Sequence, residues 1–345
     1  MGVDLPRRVD TIYLGGGTPS LLEPELIERL FAALRTGFAV DADAEITVEC
    51  APGQLAQPVL DAMVEAGVNR VSLGVQSFID REAHASGRLH SRAVVLEDLR
   101  RLREAGIGNL NVDLIAGLAG QTFASWEESL GVLLESGVPH ASVYMLEVDE
   151  ESRLGREMLA GGGRYHADLV PSDDAMARMY ETAVERLLSA GLPQYEISNF
   201  ARAGYESRHN LRYWERRPYL GVGLDASSML VDREGEYVLR AAATDDLKAY
   251  LAGPEEPETA WLSPARQHEE AWFLGLRTNA GVDSAALERE FGAEITAPAV
   301  EKARRLETDG LVLEQGGRFR LTGRGRLISN EVFQEFLGEP EPIAR

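Results

Sequence analysis

The chain has a single cysteine, Cys50, in 345 residues. One thiol excludes an intrachain disulfide and any site built from several thiolates. Basic residues are also scarce: 35 Lys and Arg stand against 56 Asp and Glu, for a formal charge of −21. General attraction to nucleic acid needs clustered cations, so this balance argues against it. No apolar run is long enough to span a bilayer, and the opening MGVDLPRR lacks the hydrophobic core of a secretory signal. These absences imply a cytoplasmic protein with no transmembrane segment.

What is present is a repeat of strand-like and helical runs. TIYL (11–14), EITVEC (45–50), RVSLGVQSF (70–78), NLNVDLIAG (109–117) and HASVYMLEV (140–148) alternate with amphipathic stretches. Pro24 suits the first helical position, and Gly67, Gly106 and Gly137 follow helical runs as C-terminal glycines do. Alternating β and α predicts a parallel sheet covered by helices. Five such strands are too few for a closed eight-stranded barrel and fit an open sheet or a partial one. Beyond 159–174, which is glycine-rich, Ser172-Asp173-Asp174 reads as a helix cap with an acidic first turn. AGPEEPETAWLSPA (252–265) reads as a boundary, and GLVLEQGGRFRLT as a hairpin closing a winged-helix-like module.

In parallel α/β folds, ligands bind at the carboxyl ends of the strands. The first strand ends in Gly15, Gly16, Gly17 and Thr18, which give a ligand access to bare backbone. Taken alone, such a triplet is a tight βα turn, and it matches neither phosphate-binding glycine pattern. Glu49 ends the second strand and Gln76 the third, with Arg88 farther along that loop. Alone, Glu49 is equally a loop salt bridge or a helix cap, and Arg88 reads as part of a solvated loop. Asp113 interrupts an apolar strand, where a charge costs free energy unless paired. Together this rim suits a zwitterion with ribose hydroxyls better than a phosphate ester.

The stretches YLGGGTPSLL, VSLGVQSF, NVDLIAGLAGQT, YEISNFARAGYESRHNLRYW and YLGVGLDASS, in this order, resemble the HemN/HemW branch of the radical S-adenosylmethionine (SAM) proteins over nearly the whole chain. The resemblance implies a partial (β/α)6 radical SAM barrel missing its first βα unit (1–165), an extension carrying an HNxxYW element (166–260), a winged-helix-like domain (266–337) and a disordered tail (338–345). It implies SAM along the rim. Gly16, Gly17 and Thr18 would bond its methionyl amino end, and Glu49, Gln76, Arg88, Asp113, Glu147 and Ser227 would line the cleft. His209 of HNLRYW matches the branch's haem-binding histidine, with Tyr213 and Trp214 as flat surface for a porphyrin. Without the motif, His209 reads as a turn cap and the two aromatics as interface packing. The implied function is haem chaperoning, with haem passed to acceptors such as respiratory enzymes. The alternative is an oxygen-independent coproporphyrinogen III oxidase. A third reading, a DNA-binding winged helix, rests on Arg318, Arg320, Arg324 and Arg326 and is opposed by the overall charge.

One family feature has no counterpart. A [4Fe–4S] cluster would be held by three closely spaced cysteines upstream of GGGTP, where this sequence has MGVDLPRRVD. The chain as read should therefore generate no radical. The reading favoured is a reading frame that starts late, with natural loss of the cluster as the other. Without a first strand, TIYL lies at an open edge, which invites homodimer formation.

Overall fold

The structure is a computed structural model. It describes residues 2–147, 156–157, 159–160, 162, 164–253 and 256–338. Residues 148–155, much of the glycine-rich stretch and 339–345, read above as a disordered tail, lie outside the described residues. The chain divides into two compact units, Val9–Ser207 and a second formed by Met1–Arg8 with Arg208–Arg345.

The first unit runs β1 (Arg8–Leu14), α1 (Pro24–Gly37), β2 (Ala39–Cys50), α2 (Gln57–Glu65), β3 (Arg70–Gln76), α3 (Asp80–Ala85), α4 (Arg92–Glu104), β4 (Asn109–Ala116), α5 (Phe123–Ser136), β5 (His140–Met145), α6 (Asp173–Ser189) and β6 (Asn199–Ala201). The strands lie side by side in sequence order, in a curled half-barrel sheet. β2 through β5 are parallel. β6 runs antiparallel to β5. This sixth strand departs from a simple βα repeat. After α6 the chain turns on itself at Tyr195–Asn199, where the Tyr195 N–H donates to the Asn199 carbonyl at 3.0 Å, and so re-enters the sheet reversed. The contacts carry the first unit on to Ser207, because α6 packs against α5 and β5.

Side-chain alternation sorts the sheet into two faces. Val71, Leu73, Val75, Leu110, Val112, Leu114, Ala141 and Val143 have no exposed surface and form the apolar half of the pattern. The intervening positions are Arg70, Ser72, Gly74, Asn109, Asn111, Asp113, His140 and Ser142, so the other face is polar. Register sets these residues in rows: Thr47–Arg70–Asn109, then Glu49–Ser72–Asn111–His140, then Gly74–Asp113–Ser142–Asn199.

Local signals are realised at the helix ends. Thr122 and Ser125 form a reciprocal capping box on α5. The Ser172 hydroxyl caps α6. Gly67, Gly106 and Gly137 take the left-handed conformation that ends helices.

The second unit contains α7 (Arg208–Trp214), β7 (Ser227–Val231), β8 (Val238–Ala242), α8 (Leu247–Ala252), β9 (Glu258–Leu262), α9 (Pro264–Arg277), β10 (Val282–Asp283), α10 (Ser284–Phe291), α11 (Ala293–Thr308), β11 (Val312–Gln315), β12 (Arg318–Leu321), α12 (Gly323–Leu327) and α13 (Ser329–Gln334). β7, β8 and β9 form an antiparallel sheet. Within 252–265, Glu258–Leu262 is ladder-paired with β8. β11 and β12 form the wing, joined by Gly316 and Gly317 at φ of 61° and 75°, the two positive angles a tight hairpin turn needs. Trp272 is fully buried and stacked on Phe336, with ring centroids 4.8 Å apart.

Trp126 of α5 is fully buried, and its indole N–H donates to the Met179 carbonyl of α6 at 2.7 Å. Replacing it with alanine removes both packing and the tie between helices. The Trp126→Ala chain should lose about 3–5 kcal/mol of stability, read as a lower denaturation midpoint at unchanged slope.

Candidate functional site

The polar face of the half-barrel is a hydrogen-bonded network organised by register. The Asn111 amide donates to Asp113 Oδ1 at 2.7 Å, to Ser72 Oγ at 2.7 Å and to Ser142 Oγ at 3.0 Å. Its carbonyl oxygen meets His140 Nδ1 at 2.6 Å. Ser72 Oγ also donates to Asp113 Oδ2 at 3.2 Å. Burial raises the Asp113 pKa, while the hydrogen bonds from Ser142, Asn111 and Ser72 and the charge of Arg70 oppose the rise. Arg70 is 2 % exposed. In its row, Arg70 Nε, Thr47 Oγ1 and Asn109 Oδ1 are buried atoms with no hydrogen-bond partner among the described residues.

At the rim, Tyr13 donates to Glu49 Oε1 at 2.7 Å. Burial raises the Glu49 pKa. The bonds from Tyr13 and the Gly16 N–H pull it down, and repulsion from Asp113 pushes it up. Gly15 cannot carry a side chain here, since a Cβ would lie 2.7 Å from the Tyr13 ring and 3.1 Å from the Glu49 carboxyl. Gly16 has φ of 89°, and added Cβ atoms at Gly16 and Gly17 would meet nothing within 4 Å, so their backbone is open. Thr18 follows as the cap of a short 3-10 turn. Gln76 sits at φ of 67°, where a bulge interrupts the β3–β4 pairing. A bulge re-aims a side chain, and a non-glycine residue in this region stores strain. A Cβ on Gly74 would meet Gln76 Nε2 at 3.3 Å and the Arg88 guanidinium at 3.7 Å. Gly74 pairs with Asp113 across the sheet.

Glu49, Gln76, Arg88, Asp113 and the Gly16–Thr18 turn therefore gather at one end of one sheet. Glu147 is exposed, just after β5. Ser227 and His209 belong to the second unit. Sequence reasoning missed Tyr13, Arg70, Asn111, His140, Ser142 and Tyr195. The available signal was a polar residue at every second position of otherwise apolar strands.

In the second unit, His209 is half-buried on α7, and its Nε2 lies 2.7 Å from the Tyr213 hydroxyl. Tyr213 packs edge-on against Tyr219 at 4.6 Å. The Trp214 indole lies under the Arg277 guanidinium at 4.5 Å. Trp214 thus has a cation over one ring face within its own unit.

The cluster does not fit these residues. Cys50 is buried, its thiol pushed up to about 12 by desolvation, so it stays a neutral thiol. Among the described residues no group of three or more His, Cys, Asp and Glu is placed to hold a metal ion. The rim does fit a polar zwitterion with hydroxyls, through open backbone beside paired carboxylates. In the wing, Arg318 pairs with Asp283, Arg320 with Gln315, Arg324 with the Asp309 carbonyl and Arg326 with Asn279. That cluster is engaged by its own module.

Comparison with known proteins gives the same frame. Residues 3–133 match the radical SAM superfamily, and 262–328 the HemN C-terminal domain. The chain is 36 % identical to a Bacillus subtilis protein named heme chaperone HemW, over 95 % of this chain and 86 % of that protein. A Lactococcus lactis protein of the same name is 34 % identical, over 96 % and 85 %. The Escherichia coli protein of that name is 31 % identical, over 96 % and 85 %. Among solved structures, Escherichia coli coproporphyrinogen III oxidase, described as a radical SAM enzyme, superposes with a TM-score of 0.79, covering 96 % of this chain and 78 % of that one at 24 % identity. At that identity the likeness carries the fold.

The raised carboxyl pKa values fix a direction for stability. The folded chain holds these protons more tightly than the unfolded chain. Stability from Glu49 and Asp113 is therefore complete below the ordinary carboxylate range, about pH 4, and is lost as pH rises through their raised values. Asp113→Asn removes one of the two contributions. Its melting midpoint should fall less than that of the unaltered chain between pH 4 and pH 7, as scanning calorimetry would record.

Proposed function

The chain belongs to the HemW-like branch of the radical SAM superfamily, and on that premise we propose that it is a haem chaperone, binding haem through His209, taking up SAM along the half-barrel rim and passing haem to acceptors such as respiratory enzymes in the cytoplasm. One observation carries the reading. His209 presents an imidazole on a short helix, its Nε2 held by a neutral phenol. Iron can displace that phenol without stranding a buried charge. A neutral imidazole is an effective axial ligand for haem iron.

At the rim, the Gly16, Gly17 and Thr18 backbone supports placing the methionyl end of SAM there. Glu49 and Asp113 are carboxylates suited to ammonium or hydroxyl groups, and Arg88 is suited to a carboxylate. For Glu147 and Ser227, the resemblance of the sequence to the family is all that supports a role in holding SAM. SAM would supply a sulfonium and an adenosyl group. What this chain's residues do is bind and orient it, since no step through an iron–sulfur cluster follows from them. Identities of 31–36 % to proteins named heme chaperone HemW, against 24 % to coproporphyrinogen III oxidase, support chaperoning as the better reading. β1, at the sheet edge, is the place where a second copy would pair.

Haem titration tests the assignment. The unaltered chain should give a saturable Soret shift, and His209→Ala should weaken binding by at least tenfold and alter the band. Identical spectra and affinities for the two proteins would remove His209 as the ligand.

A further inference from the structure

Among the described residues, a continuous chain of hydrogen bonds whose donors all face the same way runs from Ser207 to Asp113 at the rim. Its first link is the backbone N–H of Ser207, which donates to the Tyr195 hydroxyl oxygen at 3.2 Å. The Tyr195 hydroxyl and His140 Nε2 are 2.9 Å apart. His140 Nδ1 lies 2.6 Å from Asn111 Oδ1. The Asn111 amide nitrogen donates to Asp113 Oδ1 at 2.7 Å.

The directions are fixed by chemistry. Asn111 presents its carbonyl oxygen to His140 because its nitrogen is engaged by Asp113, Ser72 and Ser142. His140 must therefore carry its proton on Nδ1, leaving Nε2 as acceptor. Tyr195 then donates to Nε2, and its oxygen is left to receive the Ser207 N–H. Every proton points toward the Asp113 carboxylate. Bonds arranged head to tail polarise one another, so a change at one end alters the strength of the next.

Ser207, Asn111 and His140 are each at most 2 % exposed, so water does not break the chain at these points. Burial, with Arg70 nearby, holds the His140 pKa well below its ordinary value, and the single-proton imidazole persists at neutral pH. The Tyr195 ring meets the His140 ring edge-on at 5.6 Å. Register pairs Asn111 with His140 in one row of the sheet, and Asp113 lies in the next. The chain's far end is the residue that directly precedes α7, the helix of His209.

We propose that His140 and Tyr195 are positioning residues that couple the ligand state of Asp113 at the rim to the anchoring of the His209 helix. A ligand hydroxyl or ammonium taking up Asp113 draws on the same lone pairs that receive Asn111. The pull is passed through His140 and Tyr195 to the Ser207 amide, which fixes where α7 begins. SAM at the rim and haem at His209 then alter each other's affinity by one common factor, as linkage requires. This inference rests on the function proposed above, for the two ligands and for His209.

The test is a haem titration, followed by Soret absorbance, with and without saturating SAM. The unaltered chain should show haem affinities that differ by about fivefold or more between the two conditions. Tyr195→Phe keeps the ring and deletes the hydroxyl, and should bring the ratio to one. His140→Leu should do the same. His140→Gln offers an N–H to Asn111 and an oxygen to Tyr195, and should retain a ratio above one, which a merely structural role for the ring would not restore. Imidazole ¹⁵N spectra of the unaltered chain should show the Nδ1–H tautomer, and in Tyr195→Phe the Nε2 signal should move to that of an unbonded nitrogen. An unchanged ratio in Tyr195→Phe overturns the inference, as does a ratio of one in the unaltered chain when both ligands bind. Should the Phe and Leu variants not fold, an Nε2–H tautomer in the unaltered chain overturns it independently. Absence of SAM or haem binding in the unaltered chain is a different result: it fails the proposed function, and this coupling with it.

Discussion

The Asn111 side-chain amide joins inward neighbours from three strands: Ser72 on β3, Asp113 on its own β4, and His140 and Ser142 on β5. A half-barrel has one face that helices cannot cover, and here that face is polar and mostly sheltered from water. Each polar group on it needs a partner from the protein or a ligand, or it costs about 1–3 kcal/mol. Parallel register answers this demand. It brings Glu49, Ser72, Asn111 and His140 into one row. A slip of one residue would turn this set outward and apolar side chains inward.

The same face stores charge. Desolvation raises the pKa of both Glu49 and Asp113, and the Asp113 charge adds to the rise at Glu49. A fold chosen for stability alone would replace such carboxylates with apolar residues. Their retention at the strand ends, beside glycines that could not carry or do not need a side chain, is the physical mark of a binding rim. Cys50 lies on the same strand as Glu49 but serves packing. Its thiol is buried and held neutral, and a neutral thiol neither attacks nor ligates well.

The sequence made the rim legible because its signals are local. Glycines after a strand, a capping Ser172 and a Gly316–Gly317 turn each announce themselves within a few residues. The network beneath the rim was not legible, because its partners are far apart in sequence. His140 meets Asn111 across 29 residues, and Tyr195 meets His140 across 55. Only register brings them together. The reversed β6 and the strand hidden in 258–262 were missed for a related reason. Proline and glutamate upstream dominated the composition, while a neighbouring strand supplied the pairing. The Arg277 guanidinium over the Trp214 ring was equally invisible, because 63 residues separate the two and only the fold brings them together.

The partner of His209 bears on what kind of haem protein this chain can be. A histidine oriented by a carboxylate is a stronger base and holds iron more firmly. Here Nε2 is held by the Tyr213 hydroxyl, whose own pKa is raised by burial, so the phenol stays protonated. On the proposed function, haem iron would have to displace that bond to reach Nε2. A net hydrogen bond is worth about 0.5–1.5 kcal/mol, which lowers affinity by roughly two- to tenfold. An enzyme with resident haem gains nothing from such competition. A carrier does, because the phenol that opposes loading also favours release to a stronger acceptor. On the proposed function, Tyr213 is therefore better understood through its contact with His209 than as a surface for the porphyrin.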